Sequence, residues 1–131
     1  MRIDPAEILV RYLRSLEELK HVFIGGDMVG RKTGQPAIIA DHAGGERVVK
    51  HRMDRFDFTL NFFGKSKSEA AGLAYVAREY LLEHFPDQVV SNYYVADVRE
   101  VDSPVTLPDY GSDESRFVHQ IQFFIFEVDN G

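Results

Sequence analysis

The clearest hydrophobic–polar pattern in the chain lies at residues 55–63, where Phe56, Phe58, Leu60 and Phe62 alternate with Arg55, Asp57, Thr59 and Asn61. A period of two puts the two sets on opposite faces of a strand with one face buried. Gly64 ends the run, and Ser66-Lys67-Ser68-Glu69 has the form of a capping box, in which a Ser side chain and a Glu three residues on satisfy free amides of a first helical turn. The helix predicted behind it sets Ala70, Leu73, Ala74, Ala77, Tyr80 and Leu81 on one face. Its alanines allow close approach to a sheet. Phe85-Pro86 closes it, because a residue before proline avoids helical geometry.

Upstream, Asp4-Pro5-Ala6-Glu7 reads as a helix start, with Asp4 capping and Pro5 at the first helical position. Ile8, Leu9, Tyr12, Leu13 and Leu16 form one apolar stripe, and the helix is expected to end near Leu19 or Lys20. Val22-Phe23-Ile24 is a short strand stopped by Gly25-Gly26, and the polar, glycine-rich stretch to Gly34 is a loop. Residues 36–40 form a second strand, Ala43-Gly44-Gly45-Glu46 a turn, and 47–54 a basic, weakly patterned stretch that reads as a strand continuation projecting from the body. Residues 89–101 are strand-like, broken by a turn at Ser91-Asn92. Residues 103–115, with two Pro, one Gly and three acids, read as a long acidic loop, and 117–128 are the last strand. The sum is an α+β fold: a mostly antiparallel or mixed sheet of about five strands with two helices on one face. Flexible loops are expected near 25–34, 42–54 and 102–116.

The last strand changes character midway. Phe117, His119 and Ile121 alternate with Val118, Gln120 and Gln122, and then Phe123-Phe124-Ile125-Phe126 is apolar on both faces. Two helices cover only one face of such a sheet. The face bearing Phe124 and Phe126 is left for a partner subunit, or for another segment of the same chain.

At 131 residues the expectation is one domain. A net charge of −6 argues against general affinity for nucleic-acid phosphates. The chain has no Cys, which rules out disulfides and thiolate metal sites and suits a reducing compartment. Met1-Arg2-Ile3-Asp4-Pro5 carries no apolar signal segment, and no apolar run reaches the ~20 residues of a membrane helix. The expectation is a soluble, acidic, intracellular domain. Chemistry-bearing patterns are sparse. The five His fall at no metal-ligand spacing. Asp41-His42 sits beside a glycine turn and reads as a turn cap with a solvated imidazole, while His119 reads as a hydrogen-bonded core or interface residue. Gly25-Gly26-Asp27-Met28-Val29-Gly30 lacks the Lys-Ser/Thr ending of a phosphate loop. Asp54 and Asp57, three apart on a strand, point to opposite faces and form no acid–base pair. No catalytic, metal or cofactor-binding residue is assigned. Charge is more telling. Residues 31–55 hold six basic residues (Arg31, Lys32, Arg47, Lys50, Arg52, Arg55) against three acids. Residues 100–114 hold five acids, among them Asp109, Asp113 and Glu114, and no Lys or Arg. Opposite charges on one chain suit self-association or stacking on a partner, and equally suit ordinary solvated loops.

Several stretches taken in order carry a family resemblance. They are Ile3-Asp4-Pro5-Ala6 with Leu9, residues 22–30, residues 62–71, and Ala96-Asp97-Val98-Arg99-Glu100-Val101 before Pro104 and Leu107-Pro108-Asp109. Over nearly its full length the chain resembles the tail terminator (tail completion) proteins of phages with long, non-contractile tails, especially those of actinobacterial hosts. The resemblance implies a mixed α/β fold, a non-enzymatic role in the virion at the tail–neck junction, assembly in the host cytoplasm, and no cofactor. It also implies a hexameric ring that caps the completed tail tube and offers a surface to the head–neck connector proteins, with genomic DNA passing unread through the lumen and no membrane involved. On this reading Phe63, Phe124 and Phe126 lie at subunit contacts. Arg31, Lys32, Arg47, Lys50, Arg52, Asp109, Asp113 and Glu114 meet neighbouring rings or partners. The alternatives are another head–tail joining or neck protein and, in a different class, a small-ligand-binding α+β dimer.

Overall fold

The structure, a computed structural model, describes residues 4–49, 52–107 and 113–128. Helix α1 spans Pro5–Arg14, with the Asp4 carboxylate accepting from the Ala6 amide as its cap. It ends five residues earlier than the apolar stripe suggests. The Ser15 hydroxyl donates to the Tyr12 carbonyl at 2.5 Å, which competes with continuation of the helix. Leu16 is extended, and a 3-10 turn at Glu17–Leu19 follows.

Six strands form one sheet in the order β1-β2-β3-β6-β5-β4: β1 Phe23–Gly25, β2 Ala37–Val49, β3 Met53–Gly64, β4 Val89–Val90, β5 Tyr93–Leu107 and β6 Ser115–Glu127. The β1/β2 pair is parallel and the others are antiparallel. Helix α2, Lys67–Glu79, follows β3 directly. Its Ser66 cap accepts from the Glu69 amide at 3.1 Å, and Glu69 reaches back to the Lys65 amide. A Cβ at Gly64 would lie 2.7 Å from the Ala70 amide nitrogen, so only glycine permits this tight strand-to-helix passage. A π turn at Tyr80–His84 prolongs α2 as far as Phe85-Pro86.

Both helices pack on one face of the sheet. Ile8, Leu9 and Leu13 of α1 and Ala70, Ala74 and Ala77 of α2 are buried there with Phe58, Leu60, Phe62, Ile121, Phe123 and Ile125. The phenyl rings of Phe58 and Phe123 stack at 5.4 Å, Phe85 meets Phe123 at 5.8 Å, and Tyr12 stacks on Phe85 at 4.4 Å. Each fully buried Leu, Ile or Phe contributes roughly 1.5–3 kcal/mol, so this continuous apolar layer holds the helices to the sheet. Burial also pushes the Tyr12 phenol up to about 12.

Two segments differ from the sequence expectation. Ala43-Gly44-Gly45-Glu46 is not a turn. It lies within β2, with a bulge between His42 and Gly44, and the strand runs on to Val49. Gly45 has φ +149°, and a Cβ there would fall 2.1 Å from the Arg55 carbonyl oxygen. Its glycine therefore marks a close strand crossing. Residues 103–107 likewise belong to β5, which passes Pro104 through register shifts between Glu100 and Val105. Proline is tolerated because, among the described residues, β5 has no strand partner on that edge at this level. The sheet thus has six strands where about five were expected. The turn at Ser91-Asn92 forms as expected, with φ of 51° and 69°, the left-handed pair of a two-residue hairpin.

Candidate assembly surface

The second face of the sheet carries no helix among the described residues. Its cross-strand rows follow from the register. Ala37, Phe63, Arg116 and Leu107 make one row, and Ile39, Asn61, Val118 and Val105 the next. The following rows are Asp41, Thr59, Gln120 and Asp102, then Gly44, Asp57, Gln122 and Arg99, then Glu46, Arg55, Phe124 and Asp97. Phe126 beside Tyr94 lies beyond them. The three phenylalanines singled out from the sequence therefore all lie on the uncovered face. Phe124 and Phe126 are neighbours, while Phe63, level with Arg116, stands about 27 Å from Phe124 along the strands at ~3.4 Å per residue.

Each of the three is half-buried by its neighbours in the chain. The Arg31 and Arg116 guanidinium groups lie 5.8 and 5.7 Å from the Phe63 ring. Arg99 lies 4.9 Å from the Phe124 ring, and the Tyr94 and Phe126 rings meet at 4.9 Å. Between them runs a ladder of polar bonds. Arg55 donates to both Asp57 carboxylate oxygens at 3.0 and 3.1 Å and to Glu46 at 3.1 Å. Arg116 donates to the Asn61 side-chain oxygen at 2.6 Å, and the Asn61 amide donates to Asp41 at 2.7 Å. The signal for this ladder stands in the sequence as opposite charges two residues apart, Arg55/Asp57 and Asp97/Arg99, which a strand places on the same face. It was missed because such pairs are common on exposed strands.

The charged candidates fall into two groups at opposite ends of the sheet. Arg31 donates to the Gln35 carbonyl and makes a bidentate pair with Glu114, which ties the loop after β1 to the start of β6. Lys32 and Asp113 are exposed near that end. At the other end Arg47 pairs with the buried Asp54 at 3.0 Å, and Arg52 is exposed in the β2–β3 turn. Lys50 and Asp109 lie outside the described residues. Asp41 and His42 point to opposite faces, Asp41 toward Asn61 and His42 onto the Phe58 ring at 5.1 Å. They form no acid–base pair.

Under α2 lies a polar cluster that the sequence gives only in part. His119 is fully buried, and its Nε2 lies 2.8 Å from Glu100. Glu100 also accepts from Arg78 of α2 at 2.5 and 3.0 Å. The Arg78 guanidinium, with His119 beside it, holds the Glu100 carboxyl down to about 2. Burial keeps His119 below its ordinary value, against the pull of Glu100. Its Nδ1 has no hydrogen-bond partner among the described residues, so a proton there would be buried without an acceptor from them. The cluster is a neutral-imidazole tie between helix and sheet. Elsewhere, Glu79, Glu83 and His84 bring ligand atoms within 4.8 Å of one another on the exposed end of α2. An open cleft of about 480 Å³ lies between the 3-10 turn and the start of α2, lined by Leu19, His21, Pro36, Lys65, Glu69 and Leu73. No helix among the described residues is long and apolar enough to cross a membrane.

No protein-family model and no curated protein sequence matches the chain. Its fold is shared with a solved chain from the virion of a native gene transfer agent (GTA) particle, at a TM-score of 0.67 and 13% identity, over 93% of this chain and 94% of that one. The likeness covers nearly the whole chain and is one of fold.

Proposed function

We propose that this chain is a structural subunit of a phage-like virion, and more closely a tail terminator. Copies of it close into a ring on the finished tail tube and present the surface to which the head–neck complex attaches. The observation that carries the reading is the fold likeness, over 93% of this chain, to a chain of the gene transfer agent virion. It agrees with the resemblance of residues 22–30 and 62–71 to tail terminators. The helix-free face supports it, since its aromatic groups Phe124 and Phe126 are half-buried against the strand neighbours Arg99 and Tyr94. A cluster of nucleophile, base and oxyanion donors is what a catalytic reading would need, and the polar clusters here are ion pairs and structural ties.

The reading is tested by mixing the purified protein with tail tubes that lack their terminator and imaging the ends by negative-stain electron microscopy. Capped ends that then accept heads support it. Binding to isolated heads in the absence of tubes would favour another neck layer. The Phe124→Asp, Phe126→Asp double variant is expected to lose assembly while keeping its fold by circular dichroism. An intact oligomer in that variant would remove these residues from the subunit contact.

A further inference from the structure

We infer that the two free edges of the sheet, β2 on one side and β5 on the other, pair with each other between copies, so that each subunit donates one edge and receives the other. This rests on the ring-subunit reading and adds a strand-edge contact to the one proposed for Phe124 and Phe126 on the helix-free face. Among the described residues, strand β1 covers β2 from Ala37 to Ile39 and β2 has no strand neighbour on that side from Ala40 to Val49. Strand β4 covers β5 at Tyr93 and Tyr94, and Gln88 with Asp87 bonds Val95, which leaves residues 96–107 without a further strand neighbour among the described residues. Unpaired amides and carbonyls in such rows are a template for another strand.

Two observations name a second copy as the occupant. Among the described residues, five of the nine exposed large hydrophobic residues lie on these two strands: Val48, Val49, Val101, Val105 and Leu107. Strand direction is the second. The β2/β3, β3/β6 and β6/β5 pairs are all antiparallel, so β5 runs opposite to β2. A neighbour related by rotation about an axis along the strands brings its β2 antiparallel to β5. The contact is then head-to-tail, the type that closes into a ring when the rotation closes. The free stretch of β2 lies toward one end of the sheet and that of β5 toward the other, so matching them needs a stagger, as tilted strands in closed sheets have.

The absence of Cys in the chain makes the test clean. Val48→Cys and Val101→Cys are made singly and together, and treated with a short flexible bis-maleimide that tolerates uncertainty in register. The double variant is expected to give a ladder of covalent oligomers on a denaturing gel. An equimolar mixture of the two single variants is expected to give dimers at least about tenfold above either single variant alone. Homodimers of Val48→Cys or Val101→Cys as abundant as the mixed product would overturn head-to-tail pairing. A closed oligomer by native mass with no cross-link would overturn the edge assignment and leave the ring reading standing. Cross-linked mixed dimers with no closed oligomer would support the edges and count against the ring. Neither product would overturn both.

Discussion

Replacing Arg78 by Met keeps most of the volume of the side chain and removes its charge. In the folded protein Arg78 places two charge-assisted hydrogen bonds on Glu100, at 2.5 and 3.0 Å, with side-chain exposures of 36% and 23%. Bonds to charged groups contribute roughly 1.5–3 kcal/mol each when buried. At this exposure solvent screens a large part, so the loss expected at pH 7 is about 1–2 kcal/mol for the pair. For a chain of this length that is a fall in Tm of about 4–8 °C. The pH dependence identifies the cause. Glu100 is held at about 2 against an ordinary 4.5. A carboxyl depressed in the fold contributes stability that is full above its unfolded value and is lost as pH falls through the folded one. In the native protein that contribution disappears between about 4.5 and 2. Without Arg78 there is less to lose there, and the Tm gap between native and variant should narrow on going from pH 7 to pH 3. Melting curves by circular dichroism at half-unit pH steps are the assay, with Glu100→Gln as a control that flattens the same limb. A gap that stays constant from pH 7 to pH 3 would refute the electrostatic account and leave only packing of the Arg78 stem.

Three further outcomes are expected. His119 is depressed by burial below its ordinary 6.5, so the native protein should begin to lose stability as pH falls below about 6.5, and His119→Phe should remove that first limb of the acid melt. Gly45→Ala sets a Cβ against the Arg55 carbonyl in a left-handed backbone and should cost about 2 kcal/mol or more, read as a lower urea midpoint at unchanged slope. Arg31→Ala removes the pair with Glu114 and the bonds to the Gln35 carbonyl, and should make the segment after β1 cleavable by trypsin at Lys32 at protease levels the native protein withstands.

The β3–α2 unit was legible because two independent signals agree there. Strict alternation ends in Gly64, and a capping box starts two residues later. Helix α1 was legible in its start but not its end, since an apolar Leu16 continues the stripe while the Ser15 hydroxyl withdraws the Tyr12 carbonyl from the helix. The extents of β2 and β5 were hidden by residues that usually stop strands. Gly44-Gly45 looks like a turn until the Arg55 carbonyl beneath it is seen, and Pro104 looks like a loop until β5 is known to be an edge. On the candidate surface, the strand period showed that Phe124 and Phe126 leave the helix-covered face. It could not show that Arg99 and Tyr94 lie against them, or that Arg31 reaches Glu114 across 83 residues. Those contacts depend on strand order, which pairing between distant segments decides.

Native mass spectrometry of the purified protein at high concentration, alone and after incubation with terminator-free tail tubes, tests the central claim most directly. Ring assembly predicts a closed species of roughly 90 kDa, six copies of 15.0 kDa, or the same number of copies recovered on tube ends. A clean dimer at every concentration, or a monomer that leaves tube ends bare, would contradict it.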